Sequence, residues 1–100
     1  MTINKTGKGT RNEKRCEEEL KKLGYTTRRA TRTKYHKIDF FGFDVMAISP
    51  DGHYMDFIQV KSNRCARATK DKIRELKMPH SCRKFVWIWV DRKGWKKERL

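Results

Sequence analysis

The amino-acid sequence predicts an α/β domain: a mixed central sheet flanked by helices, with elements in the order α-β-β-β-α-β. Three features point there. A helical stripe in the first quarter is closed by a glycine, two strand-forming runs flank a Pro-Asp-Gly turn, and a run apolar on both faces lies near the end. A strand of the last kind is one covered on both sides.

Residues 1–9 are polar and glycine-containing, and are expected to form a flexible basic arm ahead of a single domain spanning 10–100. Thr10-x-x-Glu13 has the pattern of a capping box that opens a helix. On that helix Cys16, Leu20 and Leu23 recur at i, i+4 and i+7, and Gly24 is placed to end it. Tyr25 to Lys34 alternates Thr, Arg and small residues, as in a strand with an exposed basic face, and 35–37 reads as loop. Phe43 to Ile48 and Tyr54 to Lys61 are the arms of one hairpin. Ser62 or Asn63 caps a second helix running to about Lys77, where Met78-Pro79 stops it. Phe85 to Val90 is the doubly covered strand. Asp91-Arg92-Lys93-Gly94 turns the chain, and Trp95 to Leu100 adds an edge strand.

The chain has 100 residues and a formal charge of +14, from 26 Lys+Arg against 12 Asp+Glu. A field of that size on so small a body attracts polyanions, and nucleic acid is the first candidate because phosphate contacts release counterions. An anionic membrane surface ranks below it: no apolar run is long enough to span a bilayer, and no basic helix has a large apolar face. Cys16, Cys65 and Cys82 are odd in number and widely spaced, and His36, His53 and His80 are not arranged around them as zinc ligands. Three reduced thiols and no leader peptide point to a cytoplasmic protein, associated with the nucleoid or encoded by a virus or mobile element.

The charge is unevenly distributed. Residues 1–37 hold twelve Lys+Arg and four acids, and residues 61–100 hold fourteen and four. Between them, 38–60 holds no Lys or Arg but carries Asp39, Asp44, Asp51 and Asp56. Basic flanks suit a polyanion, whereas clustered carboxylates repel one unless a cation lies between. Metal-assisted phosphodiester chemistry needs both. Asp51 is set aside as a turn residue in Ser49-Pro50-Asp51-Gly52. Asp56 and His53 are expected at the surface, and Asp39 is either an acid behind the site or a strand-entry cap.

Period-two alternation puts Phe57, Gln59 and Lys61 on one strand face and Ile58 and Val60 on the other. A hairpin folding at Pro50-Asp51-Gly52 brings Asp44 toward Gln59. Pro50 disfavours the tightest turns, and a three-residue loop with a Gly bulge pairs Asp44 with Ile58, on the wrong face. A shared site then requires a bulge or bend near Phe43. Given that, Asp44 binds a metal ion, the Gln59 amide oxygen and the Val60 backbone carbonyl add neutral ligands, and Lys61 stabilises charge at the scissile phosphate.

Asp44…Gln59-Val60-Lys61 resembles the D…(E/Q)xK core of the PD-(D/E)XK nuclease superfamily. The run Asp39-Phe40-Phe41-Gly42-Phe43-Asp44-Val45-Met46-Ala47-Ile48 is similar to that of small archaeal and viral members. Lys8-Gly9-Thr10-Arg11-Asn12-Glu13 resembles the opening of archaeal Holliday-junction resolvases. The resemblance spans roughly Lys8 to Trp95. It implies a restriction-endonuclease-like core, a Mg²⁺ or Mn²⁺ cofactor, endonuclease activity on duplex or branched DNA, and Glu13 as a fourth residue of the metal site. Glu13 is otherwise read as the end of the capping box, although its helical face is that of Cys16 and Leu20. Two departures stand out: Gln59 replaces the commoner Glu, and the stretch from the first helix to Asp44 is longer than in the resolvases.

Arg64, Arg67, Lys70, Arg74 and Lys77 follow one another at spacings of three and four, as a phosphate-binding stripe; Arg28, Arg29, Arg32 and Lys34 form a second strip. A resolvase cuts two strands and calls for a homodimer, for which the apolar Trp87/Trp89/Trp95 region is the candidate interface. The alternative reading is a catalytically inactive nuclease fold that binds DNA, supported by Gln59. Charge alone also admits an RNA-binding protein.

Overall fold

A computed structural model of the chain describes residues 4–32, 37–38 and 41–100, with side chains for 11–30 and 41–100. Helix α1 (Asn4–Lys22) leads into β1 (Thr26–Arg29), β2 (Thr31–Arg32), β3 (Lys37–Ile38), β4 (Val45–Ile48) and β5 (Met55–Ser62). Helix α2 (Arg67–Glu75), β6 (Cys82–Val90) and β7 (Gly94–Arg99) follow. Five strands form one sheet in the order β1-β4-β5-β6-β7, antiparallel except for the β5–β6 pair; β2 and β3 form a small antiparallel ladder of their own. A parallel pair needs a crossover, and α2 supplies it. This is the expected mixed sheet with helices, extended by the last edge strand.

Two apolar clusters lie on opposite faces of the sheet. Cys16 and Leu20 of α1 cover Val45, Ala47, Ile58, Val60 and Trp87 on one face. Ile73 of α2 packs with Phe43, Phe57, Val86 and Ile88 on the other. Consecutive residues of β5 and β6 thus enter different cores, which is why those runs are apolar throughout.

Helix α1 begins at Asn4, so Thr10 lies inside it and the capping box does not mark its start. Residues 4–9 extend the helix rather than forming an arm. Adding turns to a helix already anchored on a sheet costs far less than nucleating one. Its end matches the sequence. Gly24 adopts φ 92, the Tyr25 N–H donates to the Leu20 carbonyl and the Gly24 N–H to that of Lys21, both at 3.0 Å, as in a Schellman motif. A Cβ at Gly24 would also approach Pro50 Cγ to 3.2 Å. Leu23 lies past the last turn and is largely exposed, so the buried stripe runs Asn12/Cys16/Leu20 instead.

The strand expected over Tyr25 to Lys34 breaks at Ala30, which is buried and donates its N–H to the Asp44 carbonyl at 2.8 Å. Helix α2 is shorter than the basic spacing implied. Asn63 takes φ 65 and turns away to the β6–β7 turn, donating to Asp91 Oδ2 and accepting from the Asp91 N–H. It therefore caps no helix; Ala66 precedes α2 without a side-chain cap. The other end of α2 has a cap from a distant strand. Lys84 Nζ on β6 donates to the carbonyls of Ile73, Arg74 and Leu76 at 2.8–3.0 Å, satisfying the last-turn acceptors with a cation where the helix dipole favours one.

Asp56, expected at the surface, is 3% exposed. Arg83 grips it bidentately, Nε to Oδ1 at 2.6 Å and an Nη to Oδ2 at 2.9 Å, and its guanidinium lies 4.3 Å from the Tyr54 ring centroid. The parallel register that sets Asp56 beside Arg83 makes this pair possible. Replacing Arg83 by Met leaves a buried carboxylate unpaired, so Arg83→Met lowers unfolding stability by about 3–5 kcal/mol in urea titrations. The double variant Asp56→Leu/Arg83→Met recovers most of that loss; equal instability of single and double variants would show that the pair is not the cause.

Candidate active site

The site is built where the β4–β5 ladder fails. Ser49 and Tyr54 close the hairpin, with the Ser49 N–H on the Tyr54 carbonyl at 2.9 Å, leaving a four-residue loop, 50–53, rather than three. Asp51 holds that loop as the sequence indicated, accepting from Ser49 Oγ at 2.6 Å and the His53 N–H at 2.9 Å. The register then runs from Ile48↔Met55 to Val45↔Ile58. At Asp44 it stops. The Asp44 N–H donates to the Ile58 carbonyl at 2.9 Å, so Asp44 and Val45 both face Ile58, the two-against-one count of a bulge. Side-chain parity confirms it. Phe43 and Val45 would share a face in a regular strand, yet they enter opposite cores. The bend that a shared site requires is therefore present, and Phe41 and Gly42, at φ 56 and 88, turn the chain just before it.

The bulge has a chemical consequence. Asp44 Oδ2 accepts from the Val60 N–H at 2.9 Å and from Gln59 Nε2 at 3.0 Å. The carboxylate fills the place of the carbonyl that a continued β4 would have presented. In a strand, a residue's N–H and C=O point to the same neighbour, so the Val60 carbonyl also points to the Asp44 side. Asp44 is 3% exposed and its backbone is held from both flanks, by Ala30 on β1 and Ile58 on β5. Gln59 and Lys61 are half-buried, on the sheet face opposite Ile58 and Val60.

Glu13 lies on α1, among the buried residues of that helix. It is 5% exposed and lies between two anchored neighbours. On one side, fully buried Asn12 donates Nδ2 to Ser62 Oγ at 2.7 Å, next to Lys61. On the other, Cys16 sits close enough to Asp44 for that charge to help disfavour its thiolate, although burial is the main reason the thiol is held well above its usual range. Arg15 locks the helix further, donating to Asn12 Oδ1 at 2.9 Å and stacking 4.4 Å from the Trp89 centroid. The sequence assigned Asn12 and Arg15 no role at this site, and Ser62 only that of a helix cap. The signal for Asn12 was there: a polar residue at i−4 from Cys16 on the apolar stripe.

No group of three or more His, Cys, Asp or Glu side chains suited to a metal occurs among the described residues. The donors gathered at the bulge are of another kind: one firmly placed carboxylate, a backbone carbonyl and an amide. All are oxygen donors, the set that hard cations such as Mg²⁺ accept alongside water. Gln59 currently points its NH₂ at Asp44, and must rotate its amide to offer oxygen to a cation.

The basic residues are less uniform than their spacing suggests. Arg64, Arg67 and Lys77 are exposed, but Arg64 and Lys77 lie outside α2, so the five form no single helical stripe. Arg74 is exposed and loosely paired with Asp71 at 3.1 Å. Lys70 is bound to Glu98 of β7 at 2.7 Å. Arg28 is exposed on the face of Met46, whereas Arg29 turns to α1 and pairs with Glu17 at 2.8 Å. The Arg32 side chain, Lys34 and Asp39 lie outside the described residues. The tryptophans expected at a dimer interface pack within the protomer. Trp87 is 5% exposed beneath α1, and Trp95 meets both Trp87 and Trp89 edge-on at 5.3 and 5.1 Å.

No family model matches the chain, and no curated protein does. Among solved structures, it is similar to Hjc, a Holliday junction resolvase from the archaeal hyperthermophile Archaeoglobus fulgidus. The TM-score is 0.65 and the identity 18%, over 89% of this chain and 73% of that one. The likeness establishes the fold. It is restriction-endonuclease-like, as the Asp44…Lys61 motif implied, and the resolvase is a member of the PD-(D/E)XK nuclease superfamily.

The Lys70–Glu98 clasp between α2 and β7 gives a pH test. The hydrogen bond from Lys70 holds the Glu98 carboxyl below its usual range. A carboxyl depressed in the folded state contributes stability that is present above its unfolded pKa and lost as pH falls through the folded one. In an acid titration followed by NMR, Glu98 therefore titrates below the ordinary glutamate range. Lys70→Met returns it to that range; no movement in this variant would remove Lys70 as the cause.

Proposed function

We propose that the chain is a metal-dependent endodeoxyribonuclease acting on duplex or branched DNA, resembling the Holliday-junction resolvases. The observation that carries this reading is the bulge at Asp44. It sets a buried carboxylate against Val60 on the strand that also bears Gln59 and Lys61, in a fold shared with a resolvase.

The residues at the bulge fit a hard divalent cation. Asp44 Oδ1 and the Val60 carbonyl would hold Mg²⁺ or Mn²⁺, with Glu13 and the turned Gln59 amide completing the protein side and water the remainder. Such an ion supplies a Lewis acid that polarises the phosphate and makes bound water more acidic. The chain's own groups do the rest. The Val60 N–H fixes Asp44 Oδ2, so the carboxylate cannot rotate away. Lys61, two residues beyond Gln59 on the same face, carries a positive charge to a phosphate entering above the strand and orients the attacking water. Arg28, Arg64, Arg67 and Lys77 hold the flanking backbone, a role that positions DNA without reading its sequence. Arg74 joins them by releasing Asp71, an exposed pair of little stability.

A second reading, a DNA-binding protein without catalysis, is favoured by one contact. The Gln59 amide satisfies Asp44 with no cation needed, and it brings no negative charge of its own.

Cleavage of a plasmid and a four-way junction, with Mg²⁺, Mn²⁺ or EDTA, separates the two. Wild-type protein is expected to cut only with metal. Asp44→Asn, which keeps an acceptor for the Val60 N–H, is expected to unfold near the wild-type midpoint yet not cut. Lys61→Met is expected to cut about 10²–10³-fold more slowly with DNA affinity little changed. Gln59→Glu adds a charge beside Asp44 and is expected to bind Mn²⁺ about tenfold more tightly in a paramagnetic titration. DNA binding with no cutting under any metal would establish the second reading, and full activity in Asp44→Asn would remove the site.

A further inference from the structure

On the α2 face of the sheet, beside the proposed site, lies an apolar cleft of about 250 Å³. Phe41, Phe57, Leu76, Met78, Pro79 and Cys82 line it together with one cation, Lys77. Its position follows from the elements already described. Phe57 is two residues before Gln59 on the same face of β5, roughly 7 Å along the strand. Phe41 is three residues before Asp44, in the turn that leads into the bulge.

Phe41 is the unusual member. It is 77% exposed and holds φ 56, a conformation that a bulky side chain adopts rarely. An aromatic ring raised to solvent in strained backbone is a candidate for function rather than packing. What would cover it is indicated by its surroundings. A ligand here meets an almost wholly apolar lining that includes one cation, Lys77, on a chain of charge +14. Lys77 is exposed, as are Arg64 and Arg67 at the other end of the α2 segment. An apolar planar body attached to a negatively charged backbone fits both, and a nucleobase of DNA has that chemistry. Duplex DNA keeps its bases stacked and offers only phosphates. A base that is unpaired, at a branch, bulge or strand end, can turn out and stack on an aromatic side chain.

We propose that this cleft receives an unpaired nucleobase next to the phosphate presented to Asp44 and Lys61, with Phe41 as the stacking platform and Lys77 on the adjoining phosphate. The inference rests on the nuclease reading for its placement, and makes the protein selective for interrupted DNA. The Phe41 ring is already exposed, so stacking on it needs no rearrangement of the turn.

The test uses the full-length protein in EDTA, where binding is read without cutting. Two duplexes are compared, one fully paired and one carrying a single unpaired 2-aminopurine. Wild-type protein is expected to bind the bulged duplex about tenfold more tightly and to quench its fluorescence on stacking. Phe41→Ala loses the preference and the quench while binding the paired duplex as before, and Phe41→Trp retains both. Filling the cleft with Met78→Trp reduces the quench with Phe41 intact. Equal binding of both duplexes by wild-type protein, or a preference that survives Phe41→Ala, overturns the proposal. Because these readings need no turnover, a protein that never cuts with any metal sinks the nuclease reading and leaves the stacking result standing.

Discussion

The arrangement described here depends on one substitution of partners: the Asp44 carboxylate stands in for a backbone carbonyl opposite the Val60 N–H. A strand that stops pairing ordinarily leaves polar groups without partners, and a buried N–H so left costs on the order of 1–3 kcal/mol. Here the side chain of the last residue takes over that rung. The ladder can therefore end in the interior of the sheet, and its end is a carboxylate. Fold stability and placement of this carboxylate are one interaction, which is why Asp44 is held more firmly than a surface acid could be.

Around that point the two helices have different jobs. Helix α1 is fastened along its length by apolar contacts, by Asn12 on Ser62, by Arg15 on Trp89 and by the Lys97–Glu19 pair. Glu13 is carried on the firmest part of it. Helix α2 is fastened at few places: Ile73 beneath, Lys84 at its end and Glu98 beside Lys70. Asp44 and Glu13 thus sit on well-anchored elements, whereas Arg67 and Arg74 sit on a helix held at fewer places among the described residues.

Much of this was legible in the sequence. Strand runs around Pro50-Asp51-Gly52, the glycine ending α1 and the doubly apolar β6 gave the architecture, because each is a local signal with a local cause. The need for a distortion near Phe43 was also legible, since regular pairing put Asp44 on the wrong face. What the sequence hid were contacts between distant segments. Asp56 looked like a surface acid until the parallel register set it beside Arg83. Asn63 looked like a cap until it turned to Asp91. The basic spacing through α2 suggested a longer helix, but Lys and Arg spacing reports no helix end. The tryptophans read as a candidate dimer interface, but their packing against α1 and against one another joins distant segments, which periodicity does not report.

Among the described residues β1 and β7 are the outer strands of the five-stranded sheet, and both carry cations: Arg28 and Arg29 on one, Lys96, Lys97 and Arg99 on the other. An edge strand offers unpaired backbone groups to any similar strand, and long-chain cations along it are a common protection against open-ended stacking of copies. On the proposed reading, the positive charge that would meet a polyanion would then also discourage edge-to-edge pairing of copies. Variants that reduce the charge of β7 would remove that barrier to aggregation.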